Sequence, residues 1–494
     1  MLDRGIQQGD NMFKQGTRAG LALAVALAGA SCAVREEAAL PSAAAGESLR
    51  IGLIADTQIT TPEATSGYLF RTMRADALQN VAVRTTAQEA LAVEHMQYML
   101  DDLVARKPDL VVYLGDGANS GCLDEVDAFF GALQAVRERS AVPVFFAVGN
   151  HDYLATGNQA SADQRALACG GKPHVDKATL VARTAAFNRQ SWEQYASKAG
   201  VLGAYRDSLP AVTAVEGRGC AAPEAAQHAD GCFYAAVLEF AKGGRRGAVV
   251  LVDTSDYRDL GFNPALPGGP TWTEFRGLRG GVSYKPGGQN AWILAALGTP
   301  STGDRFFASH YPTKDLKWGN LPSGRLGDLM SPAGLNVWLS AHTHEEDPHA
   351  PPRRGLYYSG WAGTGEQSPR FDEVNVGSTT DYHAHGAIVE VLDGQARKFA
   401  VAATGEPERK ACKTWLDGLR LDDSYALPMA GDASVPARLG LTVAYRKPGY
   451  DDRKARANLD RLLATADGPA QREQWVRCLM DTAAKAESRA RFWD

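Results

Sequence analysis

The sequence predicts an α/β protein built on a largely parallel sheet. Two observations carry this: short apolar, β-branched runs alternate with stretches of helical periodicity, and the runs end, one after another, in polar residues. A third, the 45% apolar content of a 494-residue chain, provides a large core and excludes a disordered protein. The formal net charge of −5 gives no basic field to hold nucleic acid or an anionic membrane.

At the N-terminus, Lys14 and Arg18 precede an apolar run from Leu21 to Ala30. That run is too short to span a bilayer and has the length of a secretory h-region. It ends in AGASC, similar to a bacterial lipoprotein signal, so residues 1–32 are expected to be a signal peptide. Cys32 would then carry the lipid, and the protein would be exported to the periplasm or anchored to the outer membrane. Gly29 stands where such signals usually have a larger aliphatic residue, which leaves ordinary cleavage after Ala30 open. Residues 33–48 are small and polar and make a linker.

The main domain is expected over residues 49–404. RIGLIAD is its first strand, ending at Asp56. Residues 88–106 place Ala92, Met96, Met99, Leu100 and Leu103 on one helical face, and Pro108 stops that pattern. DLVVYLGD is a strand ending at Asp116, and Val126, Phe129, Phe130, Leu133 and Val136 mark a second helix. VPVFFAVG, at 142–149, is a strand that runs into Asn150, His151 and Asp152.

Farther along, GAVVLVDTS (247–255) is a strand and QNAWILAAL (289–297) a helix. RFFASHYP ends a strand at His310, and LNVWLSAHTH carries another to His342 and His344. LYYSG, GAIVEVL and KFAVAA are expected to be antiparallel, because no helical pattern separates them. Residues 155–246 have no strong period and are expected to form a long insertion. Residues 405–494 form a mostly helical C-terminal extension, clearest in ARANLDRLLATA and REQWVRCLMDTAAKAESRARFW.

Of the seven cysteines, Cys32 is assigned to the signal. The remaining even number suits disulfides in an exported protein. Spacing pairs Cys220 with Cys232 and Cys412 with Cys478, leaving Cys122 with Cys169; free buried thiols are the alternative.

The strand ends together supply Asp56, Gln58, Asp116, Asn150, His151, Asp152, His310, His342 and His344. Any one of these is explained by a turn or a satisfied core histidine. As a set, hard oxygen donors and imidazoles at one edge match divalent metal ligands, in greater number than one tetrahedral ion takes. Two ions roughly 3.5–4 Å apart would use them all, a spacing that suits in-line displacement at phosphorus.

In order, the pieces ADTQ, LGDG, GNHD, ASHYP and SAHTH resemble the calcineurin-like metallophosphoesterases, whose pattern is DxH, GDxx, GNHD or GNHE, a lone His, and GHxH. The resemblance covers roughly residues 50–364 apart from the insertion. It implies a two-sheet αββα sandwich and two divalent ions, Mn, Fe, Zn or Mg. Asp56, Gln58, Asp116 and His344 would hold the first ion; Asp116 would bridge to a second held also by Asn150, His310 and His342. His151 would protonate the leaving oxygen or steady the phosphoryl group, and Asp152 would orient His151. The implied reaction is hydrolysis of a phosphomonoester or phosphodiester by metal-bound hydroxide, on a small-molecule substrate.

Two positions depart from the family. Gln58 replaces a histidine, which removes a nitrogen donor and favours harder ions such as Mn²⁺ or Mg²⁺. Ala341 replaces the glycine of GHxH, at little cost if its backbone angles are ordinary. The Gln58 change keeps open a metal-dependent protein that binds a phospho-ligand with impaired turnover. A structural surface lipoprotein acting through its C-terminal helices is a third reading, disfavoured by His151 and Asp152.

Segments 61–87 and 155–246 follow ligand-bearing strand ends and are placed to cap the site. His95, His174, His228 and His349 are expected at the surface. Asp381, His383 and His385 fit an ordinary strand better than a set of further ligands, and Trp361 fits either a pocket wall or a glycine-rich turn.

Overall fold

The computed structural model describes residues 48–60, 86–155, 157, 165–166, 168–196, 202–208, 232–256, 280–283, 288–298, 303–317, 328–345, 347–355, 371–380, 384–392, 394–402 and 452–492. In chain order, the first half runs β1 (Arg50–Ile54), α1 (Thr86–Ala105), β2 (Leu110–Tyr113), α2 (Leu123–Arg139), β3 (Val144–Phe146), α3 (Lys177–Ala196), β4 (Leu202–Asp207), β5 (Ala236–Lys242) and β6 (Arg245–Val252). The second half runs β7 (Gly280–Gly281), α4 (Gln289–Leu297), β8 (Asp304–Ser309), β9 (Leu316–Lys317), β10 (Asn336–Ser340), β11 (Arg353–Gly355), β12 (Phe371–Asn375), β13 (His385–Leu392), β14 (Gln395–Ala402), α5 (Asp452–Leu463) and α6 (Pro469–Phe492).

One sheet has the order β14-β13-β1-β2-β3, the other β11-β12-β10-β8-β6-β5-β4. β1, β2 and β3 pair in parallel, and so do β6, β8, β10 and β12. Of these, β1, β2, β3, β8 and β10 are almost wholly buried. That is why their sequences are continuous apolar runs and not alternations. Antiparallel strands extend both sheets, among them the expected β13–β14 hairpin. α1 packs on the first sheet and α4 on the second, while α3 lies against β3 of the first and β4 of the second. One apolar cluster runs from Ile51 and Val111 of the first sheet to Val249, Phe307 and Trp338 of the second. The fold is thus the two-sheet α/β sandwich that the resemblance implied.

The stretch 155–246 departs from expectation. It contains α3, β4 and β5, which belong to the sandwich itself. Gly243 (φ 56°) and Gly244 (φ 74°) close the β5–β6 hairpin, with Lys242 facing Arg245. Two adjacent glycines flanked by strand-forming residues are the local signal for such a turn. β12 was hidden because Asp372 and Glu373 interrupt its apolar pattern; Glu373 is nonetheless buried, with Thr313 donating to it through both N–H and hydroxyl.

The C-terminal helices lie against α1. Leu459, Leu463, Val476, Leu479 and Met480 pack with Leu91 in a second apolar cluster, flanked by Arg472–Glu94 and Arg477–Asp102 ion pairs. The surface placement of His95 is overturned: it faces inward from α1, is fully buried, and its Nδ1 lies 2.8 Å from the Thr379 carbonyl. His349 is exposed, as expected.

Cys122 and Cys169 are bonded as expected. Cys232 and Cys478 are disulfide-bonded too. Their expected partners, Cys220 and Cys412, lie outside the described residues, as do the signal segment, Cys32, the linker up to residue 47, residues 61–85, LYYSG, Trp361, His228, Asp381 and His383. Among the described residues no helix is long and apolar enough to cross a membrane.

Candidate metal centre

The polar strand ends do meet, but at the junction of two sheets and not along one edge of a single sheet. Asp56 and Gln58 follow β1, Asp116 follows β2, and Asn150, His151 and Asp152 follow β3; His310 follows β8, and His342 and His344 follow β10. His310 Nε2 lies 3.0 Å from Asp116 Oδ2 and 3.9 Å from Asp56 Oδ1. His344 Nε2 is 3.3 Å from Asp56 Oδ1, and His342 Nδ1 is 3.2 Å from His310 Nε2. Gln58 Nε2 lies 3.4 Å from Asp116 Oδ2, and His151 Nε2 is 3.9 Å from that same oxygen. Donor atoms of Asp116, His310 and His342 all fall within 4.8 Å of one another.

The backbone is strained where these side chains emerge. Six described non-glycine residues have positive φ, and five belong to the site: Asp56 (55°), Gln58 (47°), Asp116 (59°), His342 (68°) and His344 (49°). Each costs on the order of 1 kcal/mol or more and persists only where the surroundings impose it. Ala341 lies outside the left-handed region, so glycine is not required there. It is required at Gly149, where a Cβ would lie 2.1 Å from Asp116 Oδ1.

Asp152 does not do what the resemblance assigned to it. Its Oδ2 accepts from Asp116 N (3.0 Å) and Gly149 N (2.8 Å), and its Oδ1 from Gly117 N (2.8 Å) and Ala118 N (3.1 Å). A buried carboxylate with four backbone donors shapes the loop that carries Asp116. His151 is oriented instead by the Asn119 carbonyl, 2.7 Å from its Nδ1, and its own N–H donates to Asp116 Oδ1 at 2.9 Å. His310 has the same arrangement: Nδ1 faces the Leu114 carbonyl at 2.8 Å, turning Nε2 toward the carboxylates.

Charge follows from these distances. Burial disfavours the Asp116 carboxylate, but the His310 and His151 imidazoles more than offset this and hold its pKa below the usual range. Burial likewise opposes a charged His310, and the Asp116 and Asp56 carboxylates outweigh it, raising its pKa to about 9. His342 is pushed well below its ordinary value by burial and by His310. Burial and the Asp116 charge raise Asp152 to about 7.

The donor set fits divalent cations. Asn150 Nδ2 donates to the Gly157 carbonyl at 2.7 Å, leaving its Oδ1 buried with no hydrogen-bond partner among the described residues; Asp56 Oδ1 likewise accepts no hydrogen bond among them and faces the His344 and His310 imidazoles. Buried acceptors without donors are costly unless a cation meets them. His385 takes the structural role that its strand suggested, accepting from Gly377 N at 3.1 Å.

Asn119, Gly157 and the segment following β12 were not singled out in the sequence. Gly157 has φ 76°, and a Cβ there would lie 2.3 Å from the His151 ring. The glycine seven residues after Asn150 was the available signal for it.

Carboxylate, amide and imidazole donors from two sheets converging on one junction define a metal-dependent hydrolase. The family model for the calcineurin-like phosphoesterases matches residues 49–346, and the chain belongs to that family of phosphoric ester hydrolases. Among solved structures the chain is similar to a dimetal phosphatase from Danio rerio, at 16% identity and a TM-score of 0.37, covering 72% of this chain and 98% of that one. No curated protein matches the chain.

Proposed function

We propose that the chain hydrolyses a small-molecule phosphomonoester or phosphodiester with two divalent ions, Mn, Fe, Zn or Mg. Asp56, Gln58, Asp116 and His344 would hold the first; Asp116, Asn150, His310 and His342 the second. The observation that carries the reading is the place of Asp116 Oδ2, which has Gln58 of one set at 3.4 Å and His310 of the other at 3.0 Å. A carboxylate shared by two ions must stand between their ligands in this way. When bound, the ions supply an acidified water and a clamp on the phosphoryl oxygens.

The chain supplies the rest. The Asn119 carbonyl at Nδ1 orients the His151 ring and leaves Nε2 facing the site, so His151 is placed to give a proton to the leaving oxygen. Asp152 fixes the loop from which Asp116 projects. Gln58 replaces a nitrogen donor with an amide and moves the first set toward Mn²⁺ or Mg²⁺. The signal-like segment at 1–32, with Cys32 as a lipid anchor, supports hydrolysis outside the cytoplasm.

The test is hydrolysis of an aryl phosphomonoester and an aryl phosphodiester by metal-stripped protein, with each ion restored in turn. Turnover should return with metal, and His151→Ala should lose about 100-fold or more while keeping its bound metal. Stoichiometric metal without turnover under every condition would instead establish a phospho-ligand binding protein.

A further inference from the structure

We propose that Asn375–Thr380, the six residues from the end of β12, form a positioning strap that sets the loops of the first metal set and governs the affinity of that ion. The inference rests on the two-ion reading above. β12 is the parallel neighbour of β10, with Asn375 opposite Ser340. The Asn375 amide donates to the Ala341 carbonyl at 2.9 Å and to Ser340 Oγ at 3.1 Å, and accepts from Thr343 Oγ1 at 2.9 Å. One side chain therefore grips the loop both before His342 and between His342 and His344.

Past Gly377 the strap crosses to the first sheet. Gly377 is needed for that crossing, because a Cβ there would lie 2.3 Å from the His385 ring and 2.7 Å from the Glu345 carbonyl. Ser378 Oγ then donates to the Asp56 carbonyl at 2.7 Å, and Thr379 N to the Ala55 carbonyl at 3.1 Å. The Thr379 and Thr57 hydroxyls are 2.7 Å apart, and Thr380 Oγ1 donates to the Thr57 carbonyl at 2.6 Å. His95 pins the strap from α1 through the Thr379 carbonyl.

These bonds hold Asp56, Gln58 and His344 in left-handed backbone that none of them adopts cheaply. Of the second set, only His342 lies in a strapped loop. Asn150 and His310 are fixed by the carbonyls of Gly157 and Leu114. Releasing the strap should therefore relax one ion's ligands far more than the other's.

The experiment is metal titration calorimetry with elemental analysis on the full chain, for wild type, Asn375→Ala, and the pair Ser378→Ala with Thr380→Val. Urea denaturation of the metal-free forms accompanies it. Wild type should bind two ions; the variants should keep one at near wild-type affinity and weaken the other about 10- to 100-fold, with little loss of metal-free stability. Thr380→Ser, which keeps the hydroxyl, should bind both normally. Two ions at wild-type affinity in the variants would overturn the strap, as would loss of both ions in step with metal-free stability. Fewer than two ions in wild type would overturn the two-ion reading, and the strap's selectivity with it.

Discussion

The two parts of the site are held in opposite ways. Around Asp116 and Asn150–Asp152 the supports come from nearby: Asp152 reaches back 36 residues to Asp116 N and 3 to Gly149 N. Around Asp56 and His342–His344 they come from a strap that is 322 residues from Asp56 in the chain. The first part is a motif that carries its own scaffold. The second is assembled only when the two sheets lie together, so its geometry depends on residues that have no chemistry of their own.

The largest effect should come from breaking the self-supporting part. Asp152→Ala removes the acceptor for four backbone N–H groups. At about 1–3 kcal/mol for each buried donor left unpaired, the loss is on the order of 4 kcal/mol or more, with collapse of turnover. Asp152→Asn keeps one acceptor oxygen and should fall between. Urea denaturation of the metal-free protein measures this, and an unchanged midpoint in the alanine variant would mean that other contacts hold the Asp116 loop.

A smaller and more selective break is Gly157→Ala. The added methyl meets the His151 ring at 2.3 Å and Asn150 Nδ2 at 2.5 Å, at a backbone φ of 76°. Turnover should fall about 10- to 100-fold, and the ion held by Asn150 and His310 should weaken. That is the opposite ion from the one the strap variants release. The same ion weakening in both experiments would erase the distinction between the two parts.

This distinction also explains what could be read from the sequence. Asp56, Asp116, Asn150, His310, His342 and His344 were legible because each ends an apolar run whose residues form a buried parallel strand. β4 and α3 were not, since a half-exposed edge strand and a helix rich in polar residues carry weak periodicity. The role of Asp152 was misassigned because residue type identifies a carboxylate but not the donors that surround it. Asn375–Thr380 looked like a Gly/Ser/Thr turn, and its partners are carbonyls and hydroxyls on distant elements, for which a sequence has no local pattern. The burial of His95 was not legible either, because its partner is the Thr379 carbonyl 284 residues away, and a polar side chain in a helix is recognised as buried only by such a partner.

The smallest effect concerns the support behind His151. Asn119, whose carbonyl orients that imidazole, is followed by Ser120 and Cys122, whose N–H groups both donate to Glu125 Oε2, at 2.8 and 3.4 Å. Glu125 is fully buried. Burial pushes its pKa up to about 8, against the backbone N–H bonds from Ser120, Cys122 and Asn119. A carboxyl that binds its proton more tightly when folded stabilises the fold fully below its unfolded pKa of about 4.5, and that contribution fades as pH rises through about 8. Thermal stability should therefore drop between about pH 5 and pH 8 by a few degrees more in wild type than in Glu125→Gln, which has no proton to lose. Superimposable profiles would show that Glu125 is already ionised in the fold, with the backbone N–H groups and the helix N-terminus outweighing its burial.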